Sequence, residues 1–213
     1  MNFLAPELDT YVVEHTENEP EILADLNRKT WIEILNPRMI AGHFQGRVLS
    51  MLSHMIKPTN VLEIGTFTGY SAICWGEGLA QNGEIHTIDI NEELEDLAKE
   101  YVAKSGLKDA IHFHIGNALD IIPTLNKKWD LVFLDADKSN YTNYYNLVFD
   151  HVEKGGYIIA DNVLWNGKVI DSKSFDEVDT KAIISFNKMV QNDDRVQNVL
   201  FPIRDGLMVI RKL

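Results

Sequence analysis

The stretch VLEIGTFTGYS, residues 61–71, decides the fold. A short apolar run passes through Glu63 and Ile64, two glycines follow four residues apart, and a helix opens behind them. That is the pattern of a strand, a tight turn and a helix start. Downstream the same texture recurs. Short apolar runs stand at EIHTIDI, AIHFHIG, DLVFLDA and YIIADN. Segments of helical spacing lie between them, such as EELEDLAKEYVAKSG, which stops at Gly106. Strands alternating with helices predict βαβ units and a mostly parallel sheet. The last two runs, VQNVLFPI and GLMVIRKL, are joined only by a short turn at RDG. A parallel crossover needs a dozen or more residues, so this pair is antiparallel. Upstream, residues 1–57 read as helical: EPEILADLNRKTWIEILN and FQGRVLSMLSHMI carry apolar residues three and four apart, with Pro20 and Pro37 flanking the first. The expectation is an α/β fold, a Rossmann-like doubly wound sheet with an antiparallel C-terminal pair. One domain is expected over 1–213, a helical segment (1–57) preceding the α/β core (58–213).

In open α/β sheets ligands bind beyond the carboxyl ends of the strands. Those ends carry Glu63-Ile64-Gly65, Asp89, Gly116-Asn117, Asp135 to Asp137, and Asp161-Asn162. At the first, Gly65 and Gly69 allow a tight turn and a close backbone approach. The G-x-G-x-x-G pattern fails, because Phe67 and Tyr70 fill its second and third glycine positions. A pyrophosphate wants positive potential there, yet Glu63 stands just before the turn. That favours a ligand carrying a cation. Asp89 lies 24 residues after Gly65, where an acid commonly binds ribose hydroxyls. Adenosine with a positive tail and no phosphate describes S-adenosylmethionine. The plainer alternative is that the glycines shape a turn and Asp89 caps the next helix.

Asp135 and Asp161-Asn162 close the fourth and fifth runs. Neighbouring strands lie about 4.8 Å apart, so these three residues can converge. Two carboxylates and an amide oxygen are hard ligands, suited to Mg²⁺, Ca²⁺ or Mn²⁺ rather than zinc. The competing explanation is turn chemistry, where Asp and Asn are common.

Composition narrows the partners. A net charge of −12 disfavours a broad grip on nucleic acid. No apolar run approaches the roughly 18–20 residues that span a bilayer, and the acidic start lacks the features of a signal peptide. A single cysteine, Cys74, excludes an internal disulfide framework and reads as a buried helix thiol. A cytoplasmic location is the simplest expectation.

LEIGTFTGYS, IDIN, DLVFLDADKSNY and IIADNVLWNGKV, in this order, resemble the cation-dependent O-methyltransferases of the caffeoyl-CoA and catechol type. The resemblance runs over about residues 38–213. It implies that Glu63, Gly65, Thr66 and Ser71 line the methionine and ribose part of S-adenosylmethionine, and that Asp89 binds the ribose. It implies that Ala118 offers its backbone to the adenine and that Met39 to Gly42 close over the site. Asp135, Asp161 and Asn162 would hold the metal, Mg²⁺ first. Asp137 would face the cofactor, and Lys138 would sit beside the acceptor hydroxyl. NPRMIAGHFQGRVL and VIDSKSFDEVDTKA depart from the plant branch, so a CoA-thioester acceptor does not carry over.

The expected reaction is in-line methyl transfer to a phenolate of a small catechol-type acceptor. Lys138 either takes the proton or steadies the phenolate; a salt bridge to Asp135 or Asp137 is its structural alternative. Trp165 either walls the acceptor pocket or packs in the core. His43 either reaches the acceptor or caps and faces solvent. Tyr141, Tyr144, Tyr145, His112 and His114 read as structural. A homodimer is expected from the helices that precede the sheet. The rival reading is a tRNA hydroxyuridine O-methyltransferase of the same broad family; a nicotinamide dehydrogenase or a catalytically silent binder fits the motifs less well.

Overall fold

The computed structural model describes residues 4–213; the helical reading of residues 1–3 falls outside them. The described residues pack into two compact units, 4–117 and 118–213.

The N-terminal unit opens with α1 (Pro6–Glu14), α2 (Glu21–Glu33), a 3-10 turn at Pro37–Met39 and α3 (Gly42–Ile56). Pro6 begins α1 and Pro20 precedes α2, where a missing N–H costs no helical bond. α2 buries Leu23, Leu26 and Thr30 but leaves Trp31 and Ile32 exposed. α3 turns a mixed face inward: Leu49 is fully buried, with Gln45, Gly46, Arg47, Ser50 and Ser53 buried beside it, while Met51 and Met55 face out. Gly46 allows this close approach, since a Cβ there would lie 2.7 Å from the Tyr70 ring. The Arg47 guanidinium grips both carboxylate oxygens of Glu77 at 2.9 Å.

β1 (Asn60–Ile64), α4 (Tyr70–Gly76), β2 (Glu84–Asp89), α5 (Glu95–Lys104) and β3 (Ile111–Ile115) follow. β1 pairs with β2, and β2 with β3, all parallel. Every residue of α4 is buried. Cys74 is among them, as expected, and burial pushes its thiol pKa up. α5 ends at a left-handed Gly106, φ +80°.

The C-terminal unit contains α6 (Ala118–Leu125), β4 (Trp129–Leu134), α7 (Tyr141–Phe149), β5 (Val152–Asp161), α8 (Val178–Gln191), β6 (Val196–Phe201) and β7 (Leu207–Lys212). β4 and β5 are parallel, and β7 runs antiparallel to both β5 and β6. Phe133, Ile159, Tyr141, Tyr145 and Phe186 fill the core of this unit. β5 starts five residues before the apolar run YIIADN: it includes Glu153, Lys154 and two glycines, and its register against β4 shifts between Trp129 and Leu131. The strands form one seven-stranded sheet in the order β3-β2-β1-β4-β5-β7-β6, parallel except where β7 runs antiparallel to its neighbours. Among the described residues no helix is long and apolar enough to cross a membrane.

Candidate functional site

In the N-terminal unit the glycine turn joins β1 to α4. Gly65 and Gly69 have φ of +104° and +82°, where a Cβ is disfavoured. Gly69 is also crowded: a Cβ would meet that of Ala98 at 3.3 Å. Asp89, at the end of β2, fixes this turn. Its Oδ2 accepts from the backbone N–H groups of Thr66 and Phe67, at 3.0 and 2.7 Å. Its Oδ1 accepts from Asn91 N–H at 2.9 Å. Asn91, rather than Asp89, caps the following turn, accepting from Glu93 N–H. Glu63 is fully buried at the end of β1. Its Oε2 accepts from the Thr87 hydroxyl at 2.6 Å, and Thr87 and Thr66 share a hydrogen bond of 2.5 Å. Burying a carboxylate is expensive unless its surroundings or a ligand compensate. Glu63, Thr66 and Asp89 therefore belong to one linked network around the turn, and Ser71 lies buried in the first turn of α4.

The segment before α3 is more open. Met39 is exposed at the end of its 3-10 turn, and Gly42 adopts φ +72°. His43 donates from Nε2 to the carbonyl of Glu17 at 2.6 Å, a tether between two stretches of chain.

In the C-terminal unit, Leu134 pairs with Ala160, so Asp135 follows β4 beside Asp161 at the end of β5. Asp161 is 4 % exposed. Its Oδ1 accepts from Asn162 N–H at 2.7 Å, and Asn162 is left-handed, φ +58°. Lys138 is buried beside them. Its Nζ donates to Tyr141 Oη at 2.6 Å and to Asp135 Oδ1 at 3.3 Å, and lies 6.0 Å from the Trp165 ring. Tyr141 Oη lies 2.9 Å from the carbonyl of Asp161 and 3.1 Å from that of Leu134, so one hydroxyl braces both strand ends. Burial first, then Asp135, Asp161 and Asp137, push the Tyr141 pKa far up and keep it neutral. Asp137 is exposed and held by Tyr144 Oη at 2.5 Å and Asn140 Nδ2 at 2.6 Å. Ala118 opens α6 and is buried.

The loop after β5 is pinned from the far hairpin. Leu164 N–H donates to the Asp205 carbonyl at 2.8 Å, and Asn166 N–H to Asp205 Oδ1 at 2.5 Å. Trp165, Asn166 and Gly167 all carry positive φ. Gly206 lets the hairpin close in, since a Cβ there would lie 2.5 Å from Leu164 Cγ. Asp205 is a support that nothing in the sequence singles out, and Tyr141 and Tyr144, expected as structural, brace the strand ends through their hydroxyls. RDG reads there only as a turn, and tyrosines at helical spacing read only as packing.

Two acidic stations result. One surrounds a glycine turn with a buried carboxylate and no glycine-rich phosphate cradle. The other brings Asp135 and Asp161 to adjacent strand ends with Asn162 directly after, oxygen-bearing residues of the type that fits a divalent cation of the Mg²⁺ or Ca²⁺ kind.

The comparisons with known proteins point one way. A model of the family described as O-methyltransferase matches residues 13–213. The chain is 33% identical over 215 residues to caffeoyl-CoA O-methyltransferase of Eucalyptus gunnii, covering 95% of this chain and 86% of that one. It is 33% identical over 217 residues to caffeoyl-CoA O-methyltransferase 2 of Petunia hybrida, covering 97% and 88%. Among solved structures, the O-methyltransferase from Bacillus cereus in complex with SAH superposes with a TM-score of 0.89 at 26% identity, covering 97% of each chain. TomG from Streptomyces achromogenes, an O-methyltransferase in complex with SAM, gives 0.87 at 26% identity over 97% and 96%.

Proposed function

Because the chain belongs to the O-methyltransferase family, we propose that it transfers methyl from S-adenosylmethionine to a hydroxyl of a catechol-type small molecule, assisted by a divalent cation. Solved relatives in complex with SAM and SAH support the donor. The observation that carries the cation and the acceptor class is the pair of carboxylates at adjacent strand ends, Asp135 and the buried Asp161, joined by Asn162. Lys138 offsets one of these acids, and a divalent cation would offset the charge that remains. A divalent cation there would supply Lewis acidity, lowering the pKa of a phenolic hydroxyl from near 10 and favouring acceptors with two vicinal oxygens.

The chain's own residues do the rest of the work. The Gly65–Gly69 turn, Glu63, Thr66 and Ser71 hold the donor's methionine and ribose part. Asp89 fixes the turn and takes the ribose hydroxyls on its remaining lone pairs. Met39 covers the donor, Asp137 faces it, and Ala118 meets the adenine. Lys138 takes the hydroxyl proton or stabilises the phenolate; its ammonium is held in place by Tyr141 and Asp135. Trp165, half-buried on the pinned loop, offers a flat wall to an aromatic acceptor, and His43 flanks the acceptor entrance. The phenolate oxygen attacks the methyl carbon, the carbon–sulfur bond breaks, and the neutral thioether leaves. Alignment of donor and acceptor supplies much of the rate. Trp31 and Ile32 of α2, Leu35 just beyond it, and Met51 and Met55 of α3 are exposed, and we assign these apolar residues to a homodimer contact.

The test is methyl transfer from labelled S-adenosylmethionine to a panel of catechols, including caffeate and its CoA ester, with Mg²⁺ or with EDTA. Turnover that EDTA abolishes is expected. Asp161→Ala should lose that turnover and still bind the donor. Near-normal turnover in this variant would remove the cation from Asp161. Donor binding with no turnover on any catechol would move the acceptor to another class.

A further inference from the structure

A cluster of side chains of metal-ligating type lies on β2 and β3, apart from the residues assigned above to methyl transfer. The two strands are parallel, with His86 beside His112 and Ile88 beside His114. The period of two puts Glu84 and His86 on one face of β2, and His112 and His114 on one face of β3. Glu84 Oε2 lies 3.5 Å from His86 Nε2 and 3.2 Å from His112 Nε2. Each of the three residues offers one ligand atom, and these atoms all lie within 4.8 Å of one another. On its other side, His86 Nδ1 lies 2.9 Å from His114 Nε2, and the two rings stack with centroids 5.1 Å apart.

That last contact is compatible with the tautomer a metal would need. One proton bridges His86 and His114. When His86 Nδ1 carries it, His86 Nε2 keeps a lone pair aimed toward Glu84 and His112. Metal-bound imidazoles are held in this way, with the second ring nitrogen donating to a neighbouring acceptor. The spacing also fits. Zinc bonds of about 2.0–2.1 Å at tetrahedral angles place ligand atoms about 3.3 Å apart. The two separations from Glu84 bracket that value.

We propose that Glu84, His86 and His112 bind a divalent transition metal, zinc by ligand type, at a site separate from Asp135, Asp161 and Asn162. Two imidazoles and one carboxylate suit zinc, whereas Mg²⁺ takes oxygen ligands. His112 is exposed, so a fourth position stays open to water. The ion would tie β2 to β3, the strand at the end of the sheet order. The competing account is a proton-mediated pairing of the histidines with Glu84 and no metal.

The experiment uses the tag-free full chain, stripped with EDTA, titrated with Zn²⁺ in a calorimeter and followed by thermal unfolding. One zinc per chain is expected, together with a rise in Tm, because a ligand that binds only the folded state stabilises it. His112→Ala, at an exposed position, should fold normally and lose both effects. His114→Ala should weaken zinc binding by about 10–100-fold through loss of the acceptor that would hold His86 in the metal-binding tautomer. Asp161→Asn should leave zinc binding unchanged. Equal zinc binding by wild type and His112→Ala would overturn the assignment, as would wild type that takes up no zinc. Binding lost in Asp161→Asn but kept in His112→Ala would place the zinc at the strand-end carboxylates instead.

Discussion

Lys138 places one buried ammonium just beyond the end of β4. It stands against Tyr141 and Asp135, with the faces of the Tyr141 and Trp165 rings at 4.7 and 6.0 Å. A cation so placed is either a working acid–base group or one half of an ion pair, and the two roles predict different losses. Lys138→Met keeps the stem and removes the charge. If Lys138 handles the acceptor proton, kcat should fall by about 10²–10⁴-fold while the KM for S-adenosylmethionine holds. A kcat within about threefold of wild type would leave Lys138 as the ion-pair partner of Asp135, since losses that small lie far below the acid–base range. The position of Lys138, Asp135 and Asp137 is readable from an apolar run that stops in acids. The brace beneath them is not. Tyr141 and Tyr144 stand three apart in a helix, a spacing that says only that they share a face. That their hydroxyls reach back to Asp161, Leu134 and Asp137 depends on how α7 lies across the strand ends.

The elements were readable where apolar period and punctuation agree. The parallel strands, the antiparallel pair and the stop of α5 at Gly106 follow from spacing, connection length and glycine. The beginning of β5 was not, because Lys154-Gly155-Gly156 looks like a turn; the strand runs through it across a register shift, with Gly155 at φ +84°. The inward face of α3 was only partly legible: Leu49 is buried as its spacing suggests, but Gln45, Gly46, Arg47, Ser50 and Ser53 face inward beside it while Met55 faces out. The loop after β5 owes its shape to a residue some forty positions away. Asp205→Ala removes the acceptor for Asn166 N–H while leaving the hairpin backbone. Its expected result is a raised KM for the acceptor, faster proteolysis within residues 163–170, and stability lowered by about 1 kcal/mol. Unchanged acceptor KM would detach this loop from the acceptor site. Between α8 and β6, Asp193 accepts from Arg195 Nε and Nη2 at 2.8 and 2.6 Å and from Tyr145 Oη at 2.9 Å. The Arg195 bonds, chiefly, hold its pKa far below the ordinary 3.8. A depressed carboxylate stabilises the fold fully above its unfolded value and loses that contribution as pH falls toward the folded one. Asp193→Asn should therefore cost about 1–3 kcal/mol at pH 7 in urea unfolding. The gap from wild type should narrow below about pH 4. A gap independent of pH would mean that packing, not charge, is what the aspartate contributes.

At the scale of the molecule, charge separates the two acceptor classes that the motifs leave open. The chain has 32 acids against 20 lysines and arginines. Among the described residues, at least six of those cations are already engaged in ion pairs within the chain: Arg47 with Glu77, Lys99 with Glu95, Lys104 with Glu100, Lys138 with Asp135, Lys168 with Glu177 and Arg195 with Asp193. Affinity for a nucleic acid comes largely from neutralising phosphates and releasing their counterions, and it scales with the number of cations presented. A surface of this sign raises the cost of bringing a polyanion close and does nothing to a neutral phenol. The protein should therefore pass through an immobilised-tRNA column at about 50 mM salt, a condition under which phosphate-binding proteins are held most strongly. Its turnover on a neutral catechol should change little between about 50 and 200 mM salt, the range over which phosphate-dependent binding falls by orders of magnitude. Retention on the tRNA column, released by salt, would show a local basic track that net charge conceals. It would move the acceptor to a nucleoside hydroxyl while leaving the glycine turn, Asp89 and the strand-end carboxylates in the same chemical roles.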